Sequence, residues 1–146
     1  MPFLFSISNL IDMTSTIVYN GDLRTEMVHL QSGSTVITDA PTDNHGKGQA
    51  FSPTDLMATA LGSCMLTTMA IGTLSRGINI DGASATVNKI MSSDAPRRVV
   101  KIEVVITMPD NAYSEEEKNL LERIARACPI SHSLHTDLIQ DLTFIW

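Results

Sequence analysis

The sequence has few cysteines and no concentration of basic residues, and both shortages exclude classes of protein. Two cysteines in a chain of 146 residues, with no cleavable secretory signal, fit a reducing compartment, so we expect a cytoplasmic protein. The net charge of −6 leaves no basic stripe that could replace the counterions on phosphates. Nucleic acid and anionic membranes are therefore not expected as partners.

The patterns of several common catalytic sites are also missing. No glycine-rich phosphate loop precedes a helix, and no Ser-His-Asp arrangement can be singled out. The acidic residues from Glu115 to Glu117 are typical of a solvated helix start and not of a catalytic carboxylate pair. The cysteines and histidines therefore remain as the candidate catalytic or metal-binding residues.

The composition predicts a single globular domain that is partly covered by a partner. Hydrophobic residues make up 43% of the chain and charged residues 18%, which is rich in apolar residues for this length. We therefore expect a homo-oligomer. Residues 13–146 are predicted to form the domain, and residues 1–12 an N-terminal extension that is flexible or lies on a neighbouring subunit.

One long apolar helix is predicted over residues 51–77, with Pro53 at its first helical position. No charged residue lies between Leu56 and Ser75, so the helix has no face that requires water and should be buried. Its many Thr, Ser and Gly residues argue against a membrane span. Gly62 and Gly72 weaken the helix, which is best explained by close packing of a neighbouring element there.

The remaining pattern predicts an α+β fold in the order βββ-α-ββ-α-β. Strands are predicted over residues 16–19, 23–30 and 34–38 as a meander, over 83–91 and 99–108 as a hairpin, and over 137–146 at the end. A second helix is predicted over residues 114–128, followed by one short helical turn over 129–134. No internal repeat is visible.

Cys64 and Cys128 are the residues with the clearest chemical potential, although buried cysteines often only fill space. A thiol is a useful nucleophile only as a thiolate, which needs a nearby positive charge or a helix N-terminus. Cys64 lies about three turns into its helix, too far for the dipole of that helix to act on it. We therefore expect a cation, with Arg24 as a candidate. The competing interpretation pairs Arg24 with Glu26 or Asp22 on the surface.

The histidines allow a different interpretation, a zinc site. His132 and His135 follow Cys128 at four and seven residues, and Cys64 or His29 could complete four ligands. No paired Cys-x2-Cys spacing supports this site. We therefore predict no bound metal.

Two motifs in this order resemble those of one family. The first motif is Phe-Ser-Pro at 51–53 with Leu56 and Ala-Leu-Gly-Ser-Cys at 60–64, and the second is Ala-Arg-Ala-Cys-Pro-Ile-Ser at 125–131. Together they resemble the motifs of the OsmC/Ohr family of thiol-dependent peroxidases. The resemblance runs from about residue 16 to the end of the chain. It implies an intertwined homodimer in which strands of both chains wrap two long central helices, with two active sites at the interface.

The resemblance also implies roles for individual residues. Cys64 matches the peroxidatic cysteine, Cys128 the resolving cysteine that forms a disulfide with it, and Arg24 the activating arginine. The implied substrates are organic hydroperoxides, in an antioxidant stress response. The implied reductant is an external dithiol, for which the family suggests lipoyl-type dithiols, and no bound cofactor is expected.

One position departs from the family pattern. Peroxidase members have a glutamate directly after the motif proline, hydrogen-bonded to the arginine, whereas this chain has Thr54 there. Asp55 points elsewhere, because consecutive helical residues are about 100° apart. Glu26 is a hypothetical substitute for the glutamate. The departure leaves an alternative open, a relative without peroxidase activity that binds a small apolar or thiol ligand in the dimer cleft.

Overall fold

The structure, a computed structural model, describes residues 12–146. The chain forms two compact units, one ending at Pro53 and the other comprising Thr54–Trp146. The predicted extension at residues 1–12 lies outside the described residues apart from Asp12. A single domain over residues 13–146 stays a prediction.

The first unit is the predicted antiparallel meander, with strand order β1-β2-β3. A two-residue turn joins β1 to β2, and its residues Asp22 and Leu23 have φ of 52° and 60°. Two consecutive positive φ values are typical of a hairpin turn whose twist matches that of its strands. The elements are β1 (Ser15–Gly21), β2 (Arg24–His29), β3 (Thr35–Asp39) and a 3-10 turn at Thr42–Asn44.

The second unit packs three helices with a three-stranded sheet in the order β4-β5-β6. β4 and β5 form the predicted antiparallel hairpin, and β6 pairs with β5 in parallel. A parallel neighbour requires a crossover connection, which the last two helices supply. The elements are α1 (Pro53–Thr73), β4 (Ser84–Met91), β5 (Val99–Thr107), α2 (Glu115–Arg126), α3 (Pro129–Ser133) and β6 (Ile139–Ile145).

The long helix α1 begins at Pro53 as predicted, but the predicted end at Gly77 is wrong, because α1 ends at Thr73. The Arg76 N–H bonds to the carbonyl of Thr73 at 3.0 Å, a bond that spans three residues instead of four. The chain therefore tightens into turns before it reaches Gly77, which has the left-handed φ of 67° expected of it.

Both glycines of α1 lie where another element comes close, as predicted. A Cβ on Gly62 would lie 2.8 Å from Val87 Cγ2 of β4. A Cβ on Gly72 would lie 2.8 Å from Ile124 Cδ1 of α2. The sheet and α2 therefore hold α1 from different places along its length, which fixes the helix that carries Cys64.

Helix α1 is buried on one face and exposed on another. Its buried residues are Ala58, Leu61, Gly62, Met65, Met69 and Thr73. The exposed residues recur every fourth position and form a stripe of Thr59, Ser63, Thr67 and Ile71. Within the single chain the helix is thus not covered on all sides. Among the described residues, α1 is the one helix long and apolar enough to cross a membrane, a criterion that core helices also meet.

The crossover between β5 and β6 contains the predicted second helix and its short successor. The Ser114 hydroxyl accepts the Glu117 N–H at 3.1 Å, and the Glu117 carboxylate accepts the Ser114 N–H at 2.8 Å. This reciprocal capping box fixes the start of α2. Leu121 and Ala125 bury its inner face. The predicted helical turn after Pro129 is also confirmed, as α3.

Candidate active site

Cys64 lies in the middle of α1 and is half-buried. Its sulfur lies 3.8 Å from the hydroxyl of Thr68, one turn further along the helix. The Cys64 side chain packs against the core. Ser63 before it is exposed and Met65 after it is buried, so Cys64 lies at the boundary between the buried and the exposed face of α1. A group at such a boundary is partly desolvated and can still be reached by a small reactant.

Cys128 lies between α2 and α3 and is wholly buried. It is the N-cap of α3, and its sulfur accepts the backbone N–H of Ser131 at 3.3 Å. Pro129 occupies the first turn of α3, where its missing N–H costs nothing. Cys128 was predicted to end the buried stripe of α2, but α2 already ends at Arg126 and the cysteine begins the next helix instead.

The structure brings Cys64 and Cys128 together as two free thiols that hydrogen-bond to each other. The Cys64 sulfur also accepts the backbone N–H of Ile130, in the first turn of α3. One short segment, from Cys128 to Ser131, therefore supplies partners to both sulfurs. This pair is the centre of the candidate site.

The two thiols are shifted in opposite directions. Burial acts to raise the pKa of Cys64, but the hydrogen bonds from the Ile130 N–H, the Cys128 thiol and the Thr68 hydroxyl outweigh it, so the pKa is lowered. Burial raises the pKa of Cys128, and the neighbouring Cys64 raises it further, against the hydrogen bond from Ser131. Cys64 therefore ionises first, while Cys128 keeps its proton.

The expectation that Cys64 needs a cation overlooked these neutral donors. A hydrogen bond to the charged form of a group favours that form as a cation does. The Ile130 N–H belongs to α3, whereas Cys64 belongs to α1, and a hairpin and α2 separate the two helices along the chain. Only the folded structure brings the two together, so spacing along the sequence gave no signal for it.

Arg24, the predicted activating residue, lies in β2 of the first unit and is held by an ion pair. Its Nε lies 2.7 Å from Asp39 Oδ1, and its Nη2 lies 2.9 Å from Asp39 Oδ2. Nη2 also donates to Gln49 Oε1 at 3.2 Å, and the Gln49 N–H donates to Asp39 Oδ2 at 3.0 Å. Two parallel bonds between a guanidinium and a carboxylate fix the plane of the arginine.

This ion pair is largely shielded from water on the side of its carboxylate. The Asp39 side chain is 1% exposed, whereas that of Arg24 is 32% exposed. The hydrogen bond to Arg24 lowers the pKa of Asp39 in spite of its burial, and the same bond raises the pKa of Arg24. Asp39 therefore stays ionised and Arg24 keeps part of its guanidinium accessible.

Sequence reasoning missed Asp39, although a signal existed. Asp39 directly faces Arg24 in the register of β2 with β3, at the end of β3. The strand was predicted to end at Thr38, which left the aspartate in the loop. The interpretation of Arg24 as a surface residue paired with Glu26 or Asp22 is wrong, since the carboxylate that Arg24 contacts is Asp39.

Glu26 was a hypothetical substitute for the family glutamate, and the structure gives it another partner. Its carboxylate accepts a long hydrogen bond of 3.5 Å from the Asn20 amide. At the position of the missing glutamate, the Thr54 hydroxyl accepts a hydrogen bond of 2.6 Å from Lys89 Nζ. Lys89 also lies 2.9 Å from Asp55 Oδ1. The carboxylate next to Thr54 is thus engaged with a lysine of β4.

Two histidines of the zinc interpretation, His132 and His135, lie between α2 and β6, whereas His29 lies in β2. His132 is in α3, and the Nδ1 atom of exposed His135 accepts the Asp137 N–H at 3.1 Å. Within residues 12–146, no group of three or more His, Cys, Asp or Glu side chains is placed to hold a metal ion. The described residues thus do not offer the ligand set that the zinc interpretation needs.

A fold of two small sheets with a long helix, and a cysteine pair built on that helix and a crossover turn, define the class of protein. The family model described as OsmC-like protein matches residues 46–140, which include both cysteines. The chain belongs to the OsmC-like family, as the sequence motifs predicted. No protein with a curated description matches the chain.

Solved structures share the fold over most of the chain. A protein of Psychrobacter arcticus 273-4, named for osmotic stress induction and detoxification response, is 44% identical, with a TM-score of 0.86 over 91% of this chain and 96% of that one. The organic hydroperoxide resistance protein OsmC of Legionella pneumophila is 14% identical, with a TM-score of 0.73 over 92% and 98% of the two chains. The organic hydroperoxide resistance protein OhrB of Bacillus subtilis is 16% identical, with a TM-score of 0.69 over 91% and 98%. The last two show likeness of fold alone.

Proposed function

We propose that the protein is a cysteine-based peroxidase that reduces organic hydroperoxides, with Cys64 as the attacking residue. The observation that carries the proposal is the contact between Cys64, whose pKa is lowered, and buried Cys128, whose pKa is raised. Peroxide reduction by a dithiol needs one thiolate to attack and a second thiol to resolve the product. The hydroperoxide resistance named for the Legionella and Bacillus proteins agrees with this chemistry.

In the first step, the Cys64 thiolate attacks one oxygen of the hydroperoxide. A sulfur–oxygen bond forms, the O–O bond breaks, and the sulfur is oxidised to a sulfenic acid while the peroxide is reduced. The leaving alkoxide takes a proton and departs as an alcohol. The Cys128 thiol, which is hydrogen-bonded to the Cys64 sulfur, is the proton source nearest to the reaction.

In the second step, Cys128 resolves the sulfenic acid. Having lost its proton, its sulfur attacks the oxidised sulfur of Cys64, expels hydroxide, and forms a Cys64–Cys128 disulfide. Overall, two thiols and one hydroperoxide give one disulfide, one alcohol and one water. An external dithiol of lipoyl type then reduces the disulfide by thiol exchange, so the reaction needs no bound cofactor or metal.

Arg24 has the role of the activating cation in this proposal. Its guanidinium is oriented by Asp39 and Gln49, and about a third of its side chain remains exposed. A fixed cation stabilises the thiolate and the negative charge that develops on the leaving oxygen. Asp39 then replaces the glutamate that the family has at the position of Thr54.

We further propose that the protein acts as a cytoplasmic homodimer. The stripe of Thr59, Ser63, Thr67 and Ile71 exposes small and apolar side chains along the helix that carries Cys64. Small residues at a spacing of four allow a second helix to approach closely. A second copy of α1 on this stripe would cover the central helix. Sedimentation of the purified protein at several concentrations tests the dimer.

Cysteine variants test the chemistry directly. Cys64→Ser should abolish the dithiol-dependent consumption of an organic hydroperoxide such as cumene hydroperoxide. Cys128→Ser should still react once, because Cys64 is intact, and its sulfenic acid should be trapped by dimedone and seen by mass spectrometry. Hydroperoxide turnover by Cys64→Ser at the parental rate would disprove the proposal.

A second candidate function is favoured by the engagement of Thr54 with Lys89. A relative without the family glutamate could bind a small apolar or thiol ligand in the dimer cleft without reducing peroxide. Brief treatment with less than one equivalent of hydroperoxide separates the two functions. Formation of the Cys64–Cys128 disulfide supports the peroxidase, and two unchanged thiols support the binding protein.

A further inference from the structure

Gln140 of β6 makes two hydrogen bonds with one residue of α3, Ser131. The Ser131 hydroxyl donates to Gln140 Oε1 at 2.6 Å, and Gln140 Nε2 donates to the Ser131 carbonyl at 2.9 Å. Both residues are half-buried, and both ends of the amide are used. The pair, which we call the Ser131–Gln140 clamp, ties the first turn of α3 to the sheet.

The clamped turn is the segment that faces the two sulfurs. The Ser131 N–H donates to Cys128 at 3.3 Å, and the N–H before it, that of Ile130, acts on both sulfurs and lowers the pKa of Cys64. Pro129 has no N–H, so Ile130 supplies the first backbone donor of α3. A rotation or retreat of this turn would withdraw the donor from Cys64 and leave a more poorly solvated sulfur behind.

A helix as short as α3 needs such an anchor. It has five residues, and isolated helices of that length do not form in water, because nucleation costs more than one turn of hydrogen bonds returns. Gln140 itself lies in the ladder between β5 and β6, opposite Ile102, a wholly buried residue. The clamp therefore transfers the rigidity of the sheet to the turn that carries the donors.

We propose that Gln140 is a positioning residue for Cys64: by holding Ser131, it keeps the Ile130 N–H directed at the Cys64 sulfur. The significance for catalysis rests on the peroxidase function proposed above, whereas the effect on Cys64 itself does not. Near the clamp lie the Cys128 thiol, which accepts the Ser131 N–H, and Arg126, which lines an open cavity of about 230 Å³ together with Ser131 and Gln140. His132 and Asp141 directly follow the two clamp residues in the chain.

The test replaces the amide and measures the reactivity of Cys64 without peroxide. Gln140→Leu has a similar size and removes both hydrogen-bonding ends. The rate of alkylation of Cys64 by iodoacetamide is followed against pH, with peptide mapping to separate Cys64 from Cys128. We expect the inflection for Cys64 to move to higher pH, with alkylation about three- to tenfold slower near neutrality, since one pKa unit changes the thiolate fraction about tenfold.

Two further variants keep the test decisive. Asn88→Leu is the matched control, because it removes an amide that bonds to Glu103 at 3.0 Å on the same sheet without touching α3. Its alkylation profile should equal that of the parent. Gln140→Met also removes both hydrogen-bonding ends without adding a charge, and its unbranched side chain adapts to its surroundings. A shift in the same direction is therefore expected even if Gln140→Leu does not fold.

The outcomes separate this inference from the proposed function. Folded Gln140→Leu or Gln140→Met with the parental alkylation profile would overturn the role of Gln140, even if the parent reduces hydroperoxide. A shifted profile in the Gln140 variants, together with a parent that consumes no hydroperoxide, would support the positioning role and refute the peroxidase. Equal shifts in Asn88→Leu and Gln140→Leu would also overturn the inference, because they would reflect a general loosening of the sheet.

Discussion

Lys89 donates a hydrogen bond of 2.6 Å to the hydroxyl of Thr54, the residue that stands where peroxidase members of the family have a glutamate. The same ammonium lies 2.9 Å from Asp55. The start of α1 is thereby engaged with β4, within one compact unit. The carboxylate that orients Arg24 comes instead from Asp39, at the end of β3.

Thr54→Val should therefore leave the reaction almost unchanged. The substitution keeps the shape of the side chain and removes the hydroxyl, while the carboxylate of Asp39 remains on Arg24. We expect kcat/KM for an organic hydroperoxide within about twofold of the parent value, the size of a typical effect outside a reacting site. Steady-state kinetics with a dithiol would measure it. A tenfold loss would show that Thr54 carries the role of the missing glutamate after all.

Asp39→Asn should slow the reaction about tenfold, which corresponds to about one pKa unit at Cys64. The direction is informative, because loss of the carboxylate leaves the positive charge of Arg24 uncompensated, which without a change of orientation would favour a negatively charged reactant and speed the proposed reaction. A lower reaction rate in Asp39→Asn would therefore indicate that the ion pair orients Arg24. The control is Asp22→Asn, which removes the exposed partner of Lys47 in the same unit. Faster alkylation of Cys64 in Asp39→Asn would contradict the orienting role.

The stability of the fold should depend on Asp39 in a pH-dependent way. Its pKa is lower in the folded chain than the ordinary carboxyl value, so its ionisation stabilises the fold above that ordinary value. The contribution disappears as the pH falls through the lowered pKa. Urea unfolding of the parent and Asp39→Asn should show a difference at neutral pH that shrinks in acid. A difference that is constant with pH would assign the effect to packing.

The two cysteines should be alkylated in a fixed order as the pH rises. Cys64 has the lowered pKa and Cys128 the raised one, and Cys128 is also wholly buried. Peptide mapping after a short pulse of iodoacetamide near neutral pH should find Cys64 modified first, below the pH at which an ordinary thiol reacts. Preferential modification of Cys128 would reverse the roles assigned to the pair.

The two glycines of α1 should differ in their tolerance of alanine. A Cβ at Gly62 meets Val87 Cγ2 at 2.8 Å, an atom that only χ1 could move. At Gly72 the 2.8 Å contact is with Ile124 Cδ1, which χ2 can turn away, and Ile124 Cγ2 follows at 3.2 Å. Overpacking costs about 1–3 kcal/mol, and alanine returns about 1 kcal/mol of helix propensity. Gly62→Ala should therefore lower the free energy of unfolding more than Gly72→Ala does. Denaturant unfolding of both variants decides this, and the opposite order would contradict the packing argument.

The sequence could predict the features that depend on near neighbours. The capping box of Ser114 and Glu117, the proline start of α1 and the β4–β5 hairpin all follow from residues a few positions apart. The end of α1 escaped prediction because Gly77 is a good stop signal, and the helix had already tightened at Thr73. Local signals show where a helix can end, and its tertiary packing decides where it does.

The candidate site was only half predictable for a related reason. Cys64 and Cys128 carry their chemistry in their side chains, so their residue types and motifs indicated them. The Ile130 donor is a backbone N–H, which every residue except proline has, so nothing in the residue type distinguishes it. The partner of Arg24 depended on strand register, which a one-residue difference in the end of β3 was enough to hide.

The N-cap of α3 is a sulfur atom, so the atom that begins a helix also belongs to the Cys64–Cys128 pair of thiols. Conversion of Cys128 to a disulfide would leave the Ser131 N–H with a weaker and displaced acceptor. Oxidation and the order of this turn would then be linked thermodynamically, and whatever stabilises α3 would also favour the reduced thiols. The NMR signal of the Ser131 backbone amide should therefore differ between the two oxidation states of Cys128.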